Sequence, residues 1–274
     1  MNGQREAQSP AGRGGQATRG AALVREPSPK LAEGIVTHQQ RVPVDVELAR
    51  RQHRAYVEAL AAHGWSVVPV GDGDPHPDGV FVEDTAVVVD DLAVITRPGA
   101  VERRSEVGAT QEALTALGLQ LARIPAPATL DGGDVLQVGR TIYVGRGGRT
   151  DAAGVRALRS LVAPLGRTVV PVALRGVLHL KSAVTALPDG TLLGLPDRVD
   201  PGGLPSLRTP PEEEGAHVVP LGGDAVLVSA SAPRTAAWLD DLGFEAVPVE
   251  VGEFEKLEGC VTCLSVLVPG VGIR

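Results

Sequence analysis

The sequence predicts an αβ protein built from about five repeated modules, and two observations support this. The chain returns several times to one order: an Ala- and Leu-rich helical stretch, a glycine, and a short β-rich segment that ends near a proline. In addition, 43% of the 274 residues are hydrophobic, so the chain can bury a large core without disulfides. Modules that each leave an apolar face uncovered must cover it against one another. We therefore expect a closed or stacked arrangement, with an open parallel sheet as the alternative that the spacing allows.

Four copies of the repeat can be read directly. They are YVEALAAHGWSVVPV (56–70), EALTALGLQLARIPA (112–126), VRALRSLVAPLGRTVVPV (155–172) and TAAWLDDLGFEAVPV (235–249). Each is followed by a loop and a second apolar strand, such as GDVLQV or GCVTCLSVLV. A fifth copy, AHVVPLGGDAVLVS (216–229), keeps two strands and lacks an obvious helix before them.

The first helix shows the pattern in detail. Asp45 is its predicted N-cap, and Gly64 is expected to end it. Five residues fall near one face: Val46, Ala49, His53, Tyr56 and Leu60. The arginine and glutamine residues of this segment are predicted to occupy the other face.

The ends and the composition narrow the class of protein. Residues 1–20 are rich in Gly, Gln, Arg and Ala and carry no apolar run, which predicts a flexible tail that is neither a signal peptide nor a membrane span. No long linker interrupts residues 21–274, so a single domain is expected there. Two cysteines and no export signal predict a cytoplasmic protein without a structural disulfide. A net charge of −7 argues against a nucleic-acid surface.

Five short segments hold more ionisable residues than their apolar surroundings need: PDGVFVEDTAVVV, ITRPGA, LDGGDVL, VGRGGRT and GVLHLKSAVTAL. Their ionisable residues are, in order, Asp78, Glu83 and Asp84; Arg97; Asp131 and Asp134; Arg146 and Arg149; His179 and Lys181. Carboxylates in apolar strands favour a cationic partner, and a guanidinium can form paired bonds to a carboxylate or phosphate. Each segment also has a simpler explanation: strand ends that meet solvent, surface arginines, aspartates in tight turns, or a buried histidine with one hydrogen bond.

Both cysteines lie in EKLEGCVTCLSVL, three positions apart. A redox pair is expected at the start of a helix, whereas the residues around Cys260 and Cys263 are β-branched and strand-like. A structural zinc site needs two further ligands, and the six histidines show no suitable spacing. The remaining interpretation is a thiol nucleophile with a histidine and a carboxylate supplied by distant segments.

Taken together, DGVFVEDTAVV, ITRPGA, LDGGDVL, GRT, LHLKS and EKLEGCVTCLSVL resemble, in order and approximate spacing, the dimethylarginine dimethylaminohydrolases of the guanidine-modifying or arginine deiminase superfamily. The resemblance runs from about Arg25 to Val268. It implies a five-bladed αβ propeller with an active site at its centre, in agreement with the repeat.

The resemblance also implies roles for individual residues. Cys263 matches the nucleophile, His179 the acid/base and Asp131 the carboxylate that orients it, while Cys260 matches no catalytic position. The positions that match substrate contacts are Ile35, Asp78, Glu83, Asp84, Arg97, Arg149 and Leu257. Many relatives have an asparagine where this chain has His217.

The implied activity is hydrolysis of Nω-methylated arginines to citrulline and an amine through a covalent thiouronium, with no metal or organic cofactor. The expected partner is therefore a small-molecule substrate, not nucleic acid or a membrane, and a homodimer is compatible with the sequence. Three alternatives stay open: arginine deiminase-like activity, an amidinotransferase, and a non-catalytic protein that binds arginine derivatives.

Overall fold

The computed structural model describes residues 19–71 and 76–271. Within these ranges the chain forms fifteen strands: β1 (Gly20–Val24), β2 (Trp65–Pro69), β3 (Ala86–Val89), β4 (Leu92–Ile95), β5 (Gln120–Arg123), β6 (Val135–Val138), β7 (Thr141–Arg146), β8 (Thr168–Ala173), β9 (Val184–Ala186), β10 (Leu192–Gly194), β11 (Leu207–Arg208), β12 (Val218–Gly222), β13 (Ala225–Ser229), β14 (Glu245–Val249) and β15 (Val266–Pro269). The helices are α1 (Val46–Ala62), α2 (Val107–Ala116), α3 (Ala152–Val162), α4 (Pro233–Asp241) and α5 (Gly252–Glu255).

The strands form five separate three-stranded sheets with the same topology. In each sheet the middle strand pairs antiparallel with one neighbour and parallel with the other; β4, for example, is antiparallel to β3 and parallel to β5. A parallel pair needs a crossover connection, which the helix between the second and third strands supplies. The open parallel sheet is therefore excluded, and the prediction of repeated αβ modules is confirmed.

The two ends of the described chain share one sheet. Strand β15 pairs with β1, with Gly20 opposite Pro269, and β1 pairs in turn with β2. The predicted tail, residues 1–20, falls mainly outside the described residues, but its last residue was assigned wrongly. Gly20 is buried in β1 because its backbone pairs on both sides, and a Cβ there would lie 2.1 Å from the carbonyl oxygen of Val268.

One module lacks an α-helix, and it is not the one predicted. Segment 216–229 forms β12 and β13, which share a sheet with β14, and α4 connects β13 to β14, so this segment is not a separate copy. The true fifth module is β9–β11, whose crossover contains only 3₁₀ turns at Pro196–Arg198 and Pro201–Gly203. Prolines and paired glycines in this crossover are poorly compatible with a helix.

Helix α1 follows its prediction in most respects. The side chain of Asp45 accepts a hydrogen bond from the N–H of Leu48, and His53 and Tyr56 are buried. Gln52 is an exception to the predicted polar face: it is buried and its Oε1 accepts from the N–H of Glu253. This contact exists because α5 packs against α1.

Five buried apolar clusters join the modules into a ring, because each cluster is shared by two neighbours. Representative pairs, in order around the ring, are Leu23 with Ile95, Val94 with Ile142, Tyr143 with Leu192, Leu193 with Val228, and Leu227 with Ala22. This arrangement confirms the five-bladed αβ propeller. Within the described residues, none of the helices has both the length and the apolar character needed to span a bilayer.

Candidate active site

Each module begins with a 3₁₀ turn just before its first strand, and these turns carry the ionisable residues. The turns are Val82–Thr85, Gly132–Asp134, Leu180–Ser182, Glu214–Ala216 and Val261–Leu264. The first three of these turns contact one another in order, and the last contacts the first. Residues that are distant in the sequence therefore meet at one end of the ring. Two predicted strand segments are partly turns, since His179 caps one and Cys263 lies within another.

A small cavity lies at this end of the ring. Its lining includes seven of the ten predicted site residues: Ile35, Asp78, Asp84, Arg149, His179, Leu257 and Cys263. The other lining residues are Phe81, Arg103, Leu178, Glu258 and Gly259. Of the remaining predicted residues, Glu83 and Asp131 contact lining groups, as described below, and Arg97 faces backbone carbonyls.

His179 is fully enclosed and bonded to a carboxylate. Its Nε2 donates to Asp131 Oδ2 at 3.0 Å, and its Nδ1 lies 3.7 Å from Asp84 Oδ1. Burial alone would lower the pKa of His179, but the charge of Asp84 and the hydrogen bond to Asp131 outweigh it and raise the pKa to about 9. Asp131 is itself fixed, because its Oδ1 accepts from the N–H of Gly99 at 2.8 Å. The imidazole is therefore oriented and protonated at neutral pH.

Asp84 is held as an anion by a buried arginine. Its Oδ2 accepts from Arg103 Nη1 at 2.5 Å, and its Oδ1 accepts from the N–H of Gly133 at 2.9 Å. Burial opposes ionisation of Asp84, but the positive charges of His179 and Arg103 lower its pKa to about 2. Arg103 also bonds both oxygens of Glu106. Neither Arg103 nor Glu106 was identified from the sequence.

Glu83 lies on the inner side of the site, toward the centre of the ring. Its Oε1 accepts from Lys181 Nζ at 2.6 Å and its Oε2 from Thr262 Oγ1 at 3.0 Å. Burial raises the pKa of Glu83 to about 7, against the positive charge of Lys181. Beyond these three residues the centre of the ring holds a separate cavity of about 250 Å³, lined by the first strands of the five sheets.

The two cysteines are buried, unbonded and in contact. Cys260 Sγ lies 3.4 Å from Cys263 Sγ, and the N–H of Cys260 donates to the Cys263 sulfur. The pKa of Cys263 is raised because its thiol donates to Cys260, because it is buried, and because Glu83 and Asp84 are nearby.

The loop over the cavity is held by two acidic residues. Asp78 accepts from the N–H of Ile35 with both oxygens, at 3.0 and 3.2 Å. Glu258 accepts from the N–H groups of residues 37–39. Burial raises the pKa of Asp78. Glu258 has a positive φ of 61°, which turns its carboxylate toward the loop, and this conformation gives no signal in the sequence.

Among the described residues, one group could hold a metal ion, namely Asp84, Asp131 and His179, whose ligand atoms lie within 4.8 Å of one another. These atoms already serve one another as hydrogen-bond and ion-pair partners, and Arg103 completes the set. The charges of the group are therefore balanced by protein side chains.

Comparison with known proteins places this geometry in a family. No family model matches the chain. Over 246 residues the chain is 59% identical to the N(G),N(G)-dimethylarginine dimethylaminohydrolase of Streptomyces coelicolor, a match that covers 89% of this chain and 95% of the relative. The chain belongs to the dimethylarginine dimethylaminohydrolase family. The enzyme of the same name from Pseudomonas aeruginosa is 31% identical over 247 residues, which cover 89% of this chain and 97% of that one.

A solved structure agrees with the fold. The dimethylarginine dimethylaminohydrolase of Pseudomonas aeruginosa, in a cysteine-to-serine mutant complexed with citrulline, superposes with a TM-score of 0.83 at 30% identity. The superposition covers 92% of this chain and all of that one. The propeller implied by the sequence is thus the fold of this family.

The two arginines predicted to bind a substrate carboxylate differ in position. Arg149 lines the cavity, where its Nη2 lies 3.5 Å from Thr37 Oγ1. Arg97 donates instead to the carbonyl oxygens of Pro127 and Ala128, at 3.1 and 3.2 Å. In this structure only Arg149 is positioned to meet a ligand.

His217, for which the resemblance implied a departure from the family pattern, does not line the cavity that contains Cys263. Its Nε2 lies 3.0 Å from the carbonyl oxygen of Ser182, and its ring borders a neighbouring cavity shared with Glu258. The departure from the family pattern therefore lies beside the site.

Proposed function

We propose that this chain hydrolyses Nω-methylated arginines, namely asymmetric dimethylarginine and monomethylarginine, to citrulline and dimethylamine or methylamine. The observation that carries the proposal is one buried cavity where a cysteine, a protonated histidine and three carboxylates meet, in a chain 59% identical to a dimethylarginine dimethylaminohydrolase. A guanidinium carbon is a poor electrophile because its charge is shared by three nitrogens. The site must therefore hold the group planar, attack it with a strong nucleophile and protonate the leaving amine.

The guanidinium would be bound by carboxylates. Asp78 and Asp84 line the cavity, and Glu83 lies behind it. Charge-assisted hydrogen bonds to a planar cation fix its orientation as well as its position. A cationic ligand would also favour ionisation of Asp78 and Glu83, whose pKa values burial raises in the empty site.

The amino-acid end of the substrate would meet Arg149, which supports a ligand with an α-carboxylate over agmatine, which has none. Arg97 would join it only after leaving the carbonyls of Pro127 and Ala128. Ile35 and Leu257 would contact the chain between the two charged ends.

Attack would begin from Cys263. The hydrogen bond to Cys260 and burial raise the pKa of its thiol, and so do the nearby carboxylates of Glu83 and Asp84, which the substrate cation would neutralise. Substrate binding would therefore lower the pKa of the thiol and release its proton, so that the thiolate forms beside the carbon it attacks. The new bond joins Cys263 Sγ to the guanidinium carbon and gives a tetrahedral species.

His179 would then act twice. As an imidazolium it donates a proton to the leaving amine, and the C–N bond breaks to leave a covalent thiouronium. As a neutral imidazole it takes a proton from water, which attacks the same carbon and releases citrulline. Asp131 keeps the ring in place through both steps.

Citrulline release from asymmetric dimethylarginine, arginine and agmatine, measured in parallel, tests the proposal. We expect turnover of the methylated substrate by the wild type and by Cys260→Ser, and none by Cys263→Ser. Preferred turnover of arginine would favour a deiminase, and consumption of the substrate in the presence of an acceptor amine without formation of citrulline would favour amidino transfer. Binding without turnover in the wild type would favour a non-catalytic binding protein.

The cytoplasmic location and a homodimer stay predictions from the sequence. Light scattering of the purified chain in solution would test the homodimer. A mass of one chain, 28.3 kDa, would contradict it.

A further inference from the structure

Cys260 has no role in the mechanism above, yet its sulfur lies 3.4 Å from that of the nucleophile. The chain contains no other cysteine. We propose that Cys260 is a resolving cysteine, and that hydrogen peroxide converts the pair into a reversible Cys260–Cys263 disulfide that blocks the nucleophile. From the sequence, the strand-like residues around the two cysteines argued against a redox pair, and the spacing looked incidental because Cys260 matches no catalytic position in the resemblance.

The backbone around the pair has the geometry that a disulfide requires. Cys260 precedes the 3₁₀ turn Val261–Leu264, and the N–H of Cys263 donates to the carbonyl oxygen of Cys260 at 3.1 Å. Such a turn brings the Cα atoms of its first and fourth residues within about 7 Å, which is the range that a disulfide spans. The two sulfurs already face each other, so bonding requires them to close to about 2.05 Å with small side-chain rotations.

The pair also favours ionisation of one of its thiols. The hydrogen bond that Cys263 donates lowers the pKa of Cys260, and this hydrogen bond together with burial raises the pKa of Cys263. When the pair has lost one proton, the remaining proton lies between two sulfurs 3.4 Å apart, and its transfer to Cys260 leaves the thiolate on Cys263, the sulfur that lines the cavity. A thiolate is the form that reacts with peroxide.

Peroxide can approach because Cys263 lines the substrate cavity, although both side chains are buried. The thiolate attacks one oxygen, forming an S–O bond and breaking the O–O bond, and hydroxide leaves. The second sulfur then attacks the sulfenyl sulfur, forming the S–S bond and breaking the S–O bond. One hydroxide takes the remaining thiol proton and the other takes the proton that the pair lost on ionisation, so that two electrons leave the cysteines and peroxide becomes two molecules of water.

The expected consequence is protection of the nucleophile. A lone catalytic thiolate continues to sulfinic and sulfonic acids, which thiols do not reduce. A neighbour in contact intercepts the sulfenic acid first, and exchange with a dithiol returns both thiols. The enzyme would be switched off by peroxide and restored by reduction.

Mass spectrometry can test this directly. Trypsin releases both cysteines in one peptide, residues 257–274, which follows Lys256. Wild-type protein is treated with peroxide, free thiols are blocked with N-ethylmaleimide, and the peptide is analysed without reduction. We expect an unblocked peptide lighter by two hydrogen atoms, which dithiothreitol converts into two free thiols.

The matched control is Cys260→Ser, with each protein compared with its own untreated activity. Wild-type activity should return to within about twofold after dithiothreitol. In Cys260→Ser, peroxide should add two or three oxygens to Cys263, and activity should stay lost. A wild-type peptide that carries added oxygens instead of the disulfide would overturn the proposal, as would disulfides between chains. The mass of the wild-type peptide is enough to show whether the disulfide forms. This measurement does not depend on which substrate the enzyme uses.

Discussion

At the residue scale, His179 is a cation at neutral pH because its contacts are negative on both sides. Asp131 binds one ring nitrogen and Asp84 lies beside the other, which raises the pKa to about 9. The sequence could suggest a histidine base for a thiol nucleophile. It could not indicate this charge, since the two aspartates come from different modules.

The protonated form donates to the leaving amine, so kcat should fall as pH rises through about 9. His179→Gln should lower kcat by roughly 10²–10⁴ and remove this decline. Initial rates of citrulline formation between about pH 6 and pH 10 measure both effects. A decline that persists unchanged in the variant would assign the ionisation to another group.

Arg103 is the main residue that sequence reasoning missed. Nothing in the segment VERRSE separates it from Arg104, although Arg103 is buried between Asp84 and Glu106 and Arg104 donates only to the carbonyl of Pro98. Which of the two arginines is buried depends on how this turn packs against the ring of modules. The sequence does not specify that contact.

Removing the guanidinium leaves two buried carboxylates without their cation. Arg103→Ala should therefore lower the free energy of unfolding by about 3–5 kcal/mol, as for other buried ion pairs that lose one partner. Urea denaturation measures this loss of stability. Arg104→Ala is the matched control, and we expect it to change the free energy of unfolding little. Equal effects of the two substitutions would contradict the role assigned to Arg103.

At the scale of elements, the helices and strands were largely predictable and the 3₁₀ turns were not. Helix α1 follows from its apolar periodicity and from Asp45 as its cap. The turns that hold Glu83, His179 and Cys263 lie in β-rich sequence, and tertiary contacts override that local preference.

Gly133 shows how closely these turns approach one another. A Cβ at this position would lie 2.7 Å from both His179 Nδ1 and Asp84 Oδ1. Gly133→Ala should displace both groups and lower kcat at least roughly tenfold, since small misplacements of reacting groups cost about this much or more. Gly108→Ala is the control, because a Cβ there meets nothing within 4 Å and lies in helix α2. A Gly133→Ala enzyme with wild-type kcat would contradict the packing described here.

At the scale of the whole molecule, the sequence predicted the number of modules but not how they close into a ring. The repeat indicated about five units. The pairing of β15 with β1 and the clusters shared around the ring depend on contacts between the chain ends and between modules. The helix-free fifth module was missed because its strands are only two or three residues long.

The buried charges also predict how stability depends on pH. Burial raises the pKa of Glu83 and Asp134 to about 7, so their ionisation costs free energy as pH rises from about 4 to 7. The raised pKa of His179 contributes stability that is complete below 6.5 and lost as pH rises through about 9. Asp84, with its pKa lowered to about 2, stabilises the fold above 3.8 and loses this contribution as pH falls toward 2.

The free energy of unfolding should therefore be highest near about pH 4–5 and decline toward about pH 9. Urea denaturation at several pH values measures this, and Glu83→Gln should flatten the decline below about pH 7. Stability that rises steadily from about pH 5 to pH 9 would contradict these assignments.

The central claim is that Cys263 carries the substrate carbon through a covalent intermediate. The most direct measurement is rapid acid quenching of the wild-type enzyme during turnover of asymmetric dimethylarginine, followed by mass spectrometry of the peptide 257–274. We predict a thiouronium adduct that carries the amino-acid chain of the substrate and that fragmentation assigns to Cys263. In Cys263→Ser both this adduct and the formation of citrulline should be absent. An adduct on Cys260, or citrulline formed by Cys263→Ser, would contradict the account.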